Sequence, residues 1–162
     1  MTLVNIIRGL NASGVEYVVI GGVAAGALGS GRITNDTDIC YRASDENRAR
    51  LARQLADWHA YLRAVEQGLP FIMDARTLRD VPVLTLITDE GDLDVMDRVE
   101  GVGAFDAVLA ASQPATIEGA PTRVLSIDAL IASKRATRRR KDEGILIELE
   151  ALREERRKRG LP

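Results

Sequence analysis

The chain has 162 residues, a mass of 17.6 kDa and a net charge of −2, a length that suits one domain with a real core, expected over residues 1–162. One cysteine, Cys40, and one histidine, His59, exclude an intramolecular disulfide, a cysteine-built zinc site and any mechanism that needs two histidines. No apolar run approaches the ~18–20 residues of a membrane span, and Met1-Thr2-Leu3-Val4-Asn5 does not start a signal peptide, so a cytoplasmic protein without a membrane partner is expected.

Leu3, Ile6, Ile7 and Leu10 recur at helical spacing and predict a first helix, with Gly14 just past its end. Val15 to Ile20 is a β-branched and aromatic run, a buried strand closed by Gly21-Gly22. A short Ala-rich helix follows over 23–28, then a loop over 29–35. Residues 36–41 alternate as a strand, with Asp36, Asp38 and Cys40 on one face. Ser44 is a helix N-cap with Asp45 and Glu46 in the first turn, and Leu51, Leu55 and Trp58 give that helix its inner face. Residues 60–80 carry no clear period. Residues 83–88 predict a strand and 89–91 a tight turn, and 93–96 returns as the hairpin partner. A short helix over 104–111 and a strand over 122–125 come next. Ser126 caps a helix holding Ile127, Leu130 and Ile131, and a last helix starts near Asp142. Its charged end, from about Arg153, is expected to fray. The order predicts an α+β protein, an α/β sandwich with helices packed on a mixed sheet.

Three carboxylates carry the chemistry. Asp36 and Asp38 point to one face of a strand, where two buried carboxylates repel and lose solvation unless a cation offsets them. Asp94 sits between Leu93 and Val95 inside another strand, a costly position for a charge without a partner or a metal. If the two strands are neighbours, the three aspartates converge. An all-oxygen donor set without histidine or cysteine favours Mg²⁺ or Mn²⁺. Asp92 shares the face of Asp94 and is the second candidate for the metal. Gly21-Gly22, between a strand and a helix start, leaves room for a phosphate chain to approach the backbone.

The stretch Val19-Ile20-Gly21-Gly22, then thirteen residues, then Asp36-Thr37-Asp38-Ile39 resembles the signature of the nucleotidyltransferase superfamily, which shares the fold of DNA polymerase β. Leu93-Asp94-Val95 is similar to that family's third-aspartate strand. The segment from Lys134 to Asp142, with Arg138 and Lys141, is similar to the C-terminal Lys…Arg-x-Lys-Asp helix of its small single-domain members, the minimal nucleotidyltransferases and AbiEii-like toxins. Many members carry Gly-Ser where this chain has Gly21-Gly22.

The resemblance implies transfer of a nucleoside monophosphate from an NTP to a hydroxyl acceptor with release of pyrophosphate. It implies Asp36, Asp38 and Asp94 as catalytic metal ligands. Gly21, Gly22, Arg32, Thr34, Lys134, Arg138 and Lys141 are the implied nucleotide-binding residues. The acceptor expected from the resemblance is RNA, such as a tRNA end, or a protein, as in the toxin-type members, whose partner is an antitoxin protein; a small hydroxyl compound, as in antibiotic-type members, is the alternative. An inactive nucleotide- or partner-binding module is the alternative to an enzyme.

Several residues keep two readings. Arg32 is a loop ion pair or a substrate contact. Residues 135–141 are a solvated helix face or a basic patch for triphosphate or RNA. His59 is expected as a packed helix residue, and Cys40 near the site or as a core filler. Residues 134–162 hold 11 of the 22 basic residues and only 6 of the 24 acidic ones. The two signs are thus expected to meet over a nucleotide.

Overall fold

The computed structural model of the chain describes residues 3–162. Met1 and Thr2, the start of the sequence judged above for a leader, lie outside the described residues. The fold is α+β: a seven-stranded mixed sheet carries helices on both faces.

The elements in chain order are α1 (Leu3–Ala12), β1 (Tyr17–Ile20), α2 (Gly21–Ala27), β2 (Asp36–Tyr41), α3 (Asp45–Asp57), β3 (Tyr61–Leu62), α4 (Ala75–Asp80), β4 (Val83–Thr88) and β5 (Gly91–Met96). A two-stranded ribbon of β6 (Arg98–Val99) and β7 (Gly103–Ala104) follows, then α5 (Phe105–Ala110), β8 (Ser112–Ile117), β9 (Ala120–Leu125) and α6 (Ile127–Thr137). A 3₁₀ turn over Arg140–Asp142 leads into α7 (Glu143–Lys158). The sheet order is β3-β4-β5-β2-β1-β9-β8.

Local chemistry explains most boundaries. Ser44 accepts a hydrogen bond from the Asn47 amide and Ser126 from the Ala129 amide, each cap contributing about 1 kcal/mol. β4 alternates exposed and buried residues along its whole length, and β5 buries Leu93 and Val95 while turning Asp92 and Asp94 to the other face. The Leu93 face of the sheet, with Val19, Ile39 and Leu86, packs under α1, α3 and α4. There Tyr17 hydroxyl donates to the Ile7 carbonyl and Tyr41 hydroxyl to the Leu78 carbonyl. The opposite face carries the aspartates and receives α2 and α5, with α6 and α7 stacked beyond α2.

Some expectations are corrected. Residues 60–80 contain β3 and α4, and 112–117 form the edge strand β8, which the sequence pattern did not mark. Trp58 is the C-cap of α3, packed so closely on Gly9 of α1 that a Cβ there would lie 2.4 Å from its ring. His59 is not packed: it follows the helix with φ +50°, lies 80% exposed and pairs with Asp89 at 2.6 Å. The charged end, expected to fray, continues the helix in this structure. α7 stays helical to Lys158, and Arg156 donates to the Leu28 carbonyl at 2.7 Å and to the Pro162 carbonyl.

Candidate active site

The site begins at the turn from β1 into α2. Gly21 has φ +64°, a left-handed conformation that suits glycine. A Cβ on Gly21 would lie 2.3 Å from Asp38 Oδ2, and one on Gly22 would lie 3.0 Å from the Thr34 Cβ. The two glycines therefore let the turn press against β2 and the preceding loop. Thr34 in that loop donates from its hydroxyl to Asp36 Oδ1 at 2.8 Å and fixes that carboxylate's orientation.

β2 and β5 are parallel neighbours, with Asp36 opposite Asp92 and Asp38 opposite Asp94. The convergence expected of the three aspartates is realised: Asp36, Asp38 and Asp94 each offer a carboxylate oxygen, and these lie within 4.8 Å of one another. Burial pushes the Asp38 carboxyl up to about 7, and the charges of Asp94 and Asp36 push the same way, while Lys134 and Arg63 pull it down. Asp94 is also raised, chiefly by burial. A cation that relieves this repulsion is what the site lacks in its own side chains of β2 and β5. Three hard oxygen donors, two of them raised in pKa by burial, fit a divalent ion.

Arg63, just past β3, was not foreseen. Its guanidinium reaches over β4 to the acidic cluster, with Nη2 2.7 Å from Asp94 Oδ1, Nε 3.5 Å from Asp92 Oδ2 and Nη1 3.8 Å from Asp36 Oδ2. It lies in the segment without period, and its partners are 27 or more residues away in sequence, so no local signal marked it.

Two clefts meet at the carboxylates. The first, about 370 Å³, is lined by Gly21, Gly22, Arg32, Thr34, Lys134 and Lys141 as well as Asp36 and Asp38. The second, about 780 Å³, runs from Asp38 and Asp94 past Val83, Met96, Arg98 and Arg139. Lys134 lines both; its ammonium stands 3.4 Å from the buried Asp142, which also accepts from the Thr137 hydroxyl. Arg32 is ion-paired to Glu148 of α7, the first of its two readings, and it also lines the first cleft. Arg138, the left-handed C-cap of α6, is outside the lining of both clefts. Its neighbour Arg139 lines both. Cys40 is fully buried, and burial pushes its thiol up to about 12, so it is core and not part of the site.

A mixed sheet with two aspartates on one strand, a third opposite on its parallel neighbour and a glycine turn against them defines a nucleotidyltransferase. The chain belongs to the family described as "Nucleotidyl transferase of unknown function (DUF2204)", whose model matches residues 1–160. No curated protein matches the sequence. Among solved structures, the lincosamide antibiotic adenylyltransferase LnuA with lincomycin bound is similar, with a TM-score of 0.61 and 16% identity over 93% of this chain and 95% of that one. ANT(2")-Ia in complex with adenylyl-2"-tobramycin is similar, with a TM-score of 0.59 and 18% identity over 93% of this chain and 84% of that one. At such identities the likeness is one of fold. No helix among the described residues is long and apolar enough to cross a membrane.

Proposed function

We propose that the protein transfers a nucleoside monophosphate from a Mg²⁺- or Mn²⁺-bound NTP, ATP in the first instance, to the hydroxyl of a small-molecule acceptor. The observation that carries this reading is the meeting of two clefts at one acidic centre; in this reading the donor would occupy the Gly21–Lys134 cleft and the acceptor the Asp94–Val83 cleft. Asp36, Asp38 and Asp94 would hold the divalent cation, which supplies charge neutralisation at the triphosphate and a more acidic acceptor hydroxyl. Gly21 and Gly22 leave space for the phosphates, and Thr34 orients Asp36 toward them. Lys134 and Arg139 face the phosphate charge that develops as the bond to pyrophosphate breaks. Asp94, at the mouth of the second cleft, orients the attacking hydroxyl and accepts its proton.

The acceptor cleft supports a small hydroxyl compound over nucleic acid. Its volume is within the ~300–1,000 Å³ of small-ligand sites, and its lining includes Val83, Met96, Val99 and Leu125 but no aromatic ring on which a base could stack. The adenylyltransferase neighbours, one with lincomycin and one with an adenylylated tobramycin, point the same way and favour ATP. A second reading, the toxin-type enzyme with an RNA or protein acceptor and an antitoxin partner, draws on the exposed basic residues Arg138, Arg139, Arg140 and Lys141 beside the donor cleft.

The test uses each NTP labelled at the α-phosphate, with Mg²⁺ or Mn²⁺, a panel of lincosamide- and aminoglycoside-type alcohols, and total tRNA in parallel. Label on a small alcohol that disappears in Asp36→Ala/Asp38→Ala supports the proposal. Label on tRNA alone replaces it with the second reading. Label transfer that persists in the double variant overturns the assignment of the centre.

A further inference from the structure

Among the described residues, the one positive charge in direct contact with the acidic centre comes from outside the strands that build it. Arg63 is tethered by its own backbone, whose N–H donates to the Thr85 carbonyl at 2.9 Å, and its Nη2 also donates to the Leu86 carbonyl at 3.2 Å. Each of its three guanidinium nitrogens faces a different carboxylate: Asp94, Asp92 and Asp36. We propose that Arg63 is a resident counter-ion of the aspartate centre, a positioning residue that competes with the divalent ion for Asp94 and makes ion binding depend on the nucleotide. The inference rests on the reading of Asp36, Asp38 and Asp94 as the set that holds the ion.

Two features support competition. Asp94 Oδ1 accepts from Nη2 at 2.7 Å, and an ion bound to that oxygen at about 2.0–2.1 Å would leave two like charges a few ångströms apart at a partly buried point. The guanidinium must then withdraw, and Asp92 offers it a berth. Asp92 stands beside Asp94 on the same face of β5 and outside the triad. Arg63 Nε, buried and without a hydrogen-bond partner, already points its way at 3.5 Å. A shift toward Asp92 satisfies that nitrogen and frees Asp94. A triphosphate favours the shift, because its negative charge tilts the site toward a larger total positive charge. Without nucleotide, Arg63 holds the three carboxylates together by itself.

The test is direct Mn²⁺ binding, read from the electron paramagnetic resonance signal of the free ion, with and without α,β-methylene-ATP. Without nucleotide, Arg63→Gln is expected to bind Mn²⁺ about tenfold more tightly than wild type, the scale of removing one partly screened charge at this distance. With the analogue the two should agree within about twofold, as Arg63 has already withdrawn. Arg63→Lys keeps the charge but cannot face three carboxylates at once, and should fall between. Arg63→Gln binding no tighter than wild type overturns the proposal, and so does Arg63→Lys matching wild type should the glutamine variant not fold. Asp36→Asn/Asp38→Asn separates this from the underlying reading. If that variant keeps wild-type Mn²⁺ binding, the triad is not the ion site. If it loses binding while Arg63→Gln matches wild type, Arg63 alone is misassigned.

Discussion

Asp38 and Asp94 stand opposite each other in the parallel β2–β5 register, and burial together with the Asp94 and Asp36 charges lifts the Asp38 carboxyl to about 7. Its ordinary value is 3.8. Between those values the folded chain binds a proton that the unfolded chain has released, so stability falls as pH rises from about 4 to about 7. At pH 8 in EDTA, Asp38→Asn should therefore raise the melting temperature, with a gain of about 2–4 kcal/mol. At pH 4 the gain should vanish. Mg²⁺ should stabilise wild type at pH 8 and leave the variant unchanged. Thermal melts at both pH values check this; a variant less stable than wild type at pH 8 would remove the repulsion argument.

The glycine pair gives a graded prediction. Gly21→Ala must relieve a 2.3 Å approach to Asp38 Oδ2 and hold alanine at φ +64°. It should cost about 1–2 kcal/mol of stability and lower kcat/KM by about 100-fold or more, since a displacement of this size misaligns a catalytic carboxylate. Gly22→Ala meets the Thr34 side chain at 3.0–3.2 Å. That side chain can turn, at the expense of its hydrogen bond to Asp36, so a loss of about tenfold in kcat/KM is expected. Steady-state kinetics and melts of both variants check the order. Equal losses would mean that Asp38 does not depend on the close approach of the turn.

Much of the fold was legible because its signals are local. The alternation in 36–41 and 83–88 names β2 and β4 to the residue, and the caps at Ser44 and Ser126 name the starts of α3 and α6. β8 was missed for a physical reason. It is an edge strand with polar Ser112, Gln113 and Thr116 out of any alternation and Pro114 in the middle, and edge strands need neither alternation nor every backbone donor. The aspartates were legible as chemistry, but their convergence depends on β2 and β5 being neighbours, which only the sheet order supplies. Arg63 and Arg139 show the other limit. One reaches the centre across β4, and the other differs from Arg138 only in which way the backbone turns after α6.

That turn makes Arg138 and Arg139 separable. Arg138 has φ +49° and lies outside both clefts, whereas Arg139 lines both. Arg139→Ala should raise the KM for NTP about tenfold, the effect of losing one charge-assisted phosphate contact. Arg138→Ala should change it by less than about twofold. Initial rates against NTP concentration distinguish them. The reverse order would return the triphosphate to the Arg138 side of α6.

Lys134 serves two masters, the donor cleft and Asp142, and a double variant separates them. Asp142 is 5% exposed and held by the Lys134 ammonium at 3.4 Å and the Thr137 hydroxyl at 3.3 Å. Lys134→Met removes the cation and leaves a buried carboxylate short of a partner, which should cost about 2–3 kcal/mol. It should also lower kcat/KM by about 100-fold, because in the proposed function the same ammonium faces the phosphates. Asp142→Asn in the Lys134→Met background removes the stranded charge, so most of the stability should return. Activity should not, because the phosphate-facing cation is still missing. Urea melts and kinetics on the single and double variants read the two effects independently. If activity recovers with stability, Lys134 acts only as a partner of Asp142 and the phosphate role falls away.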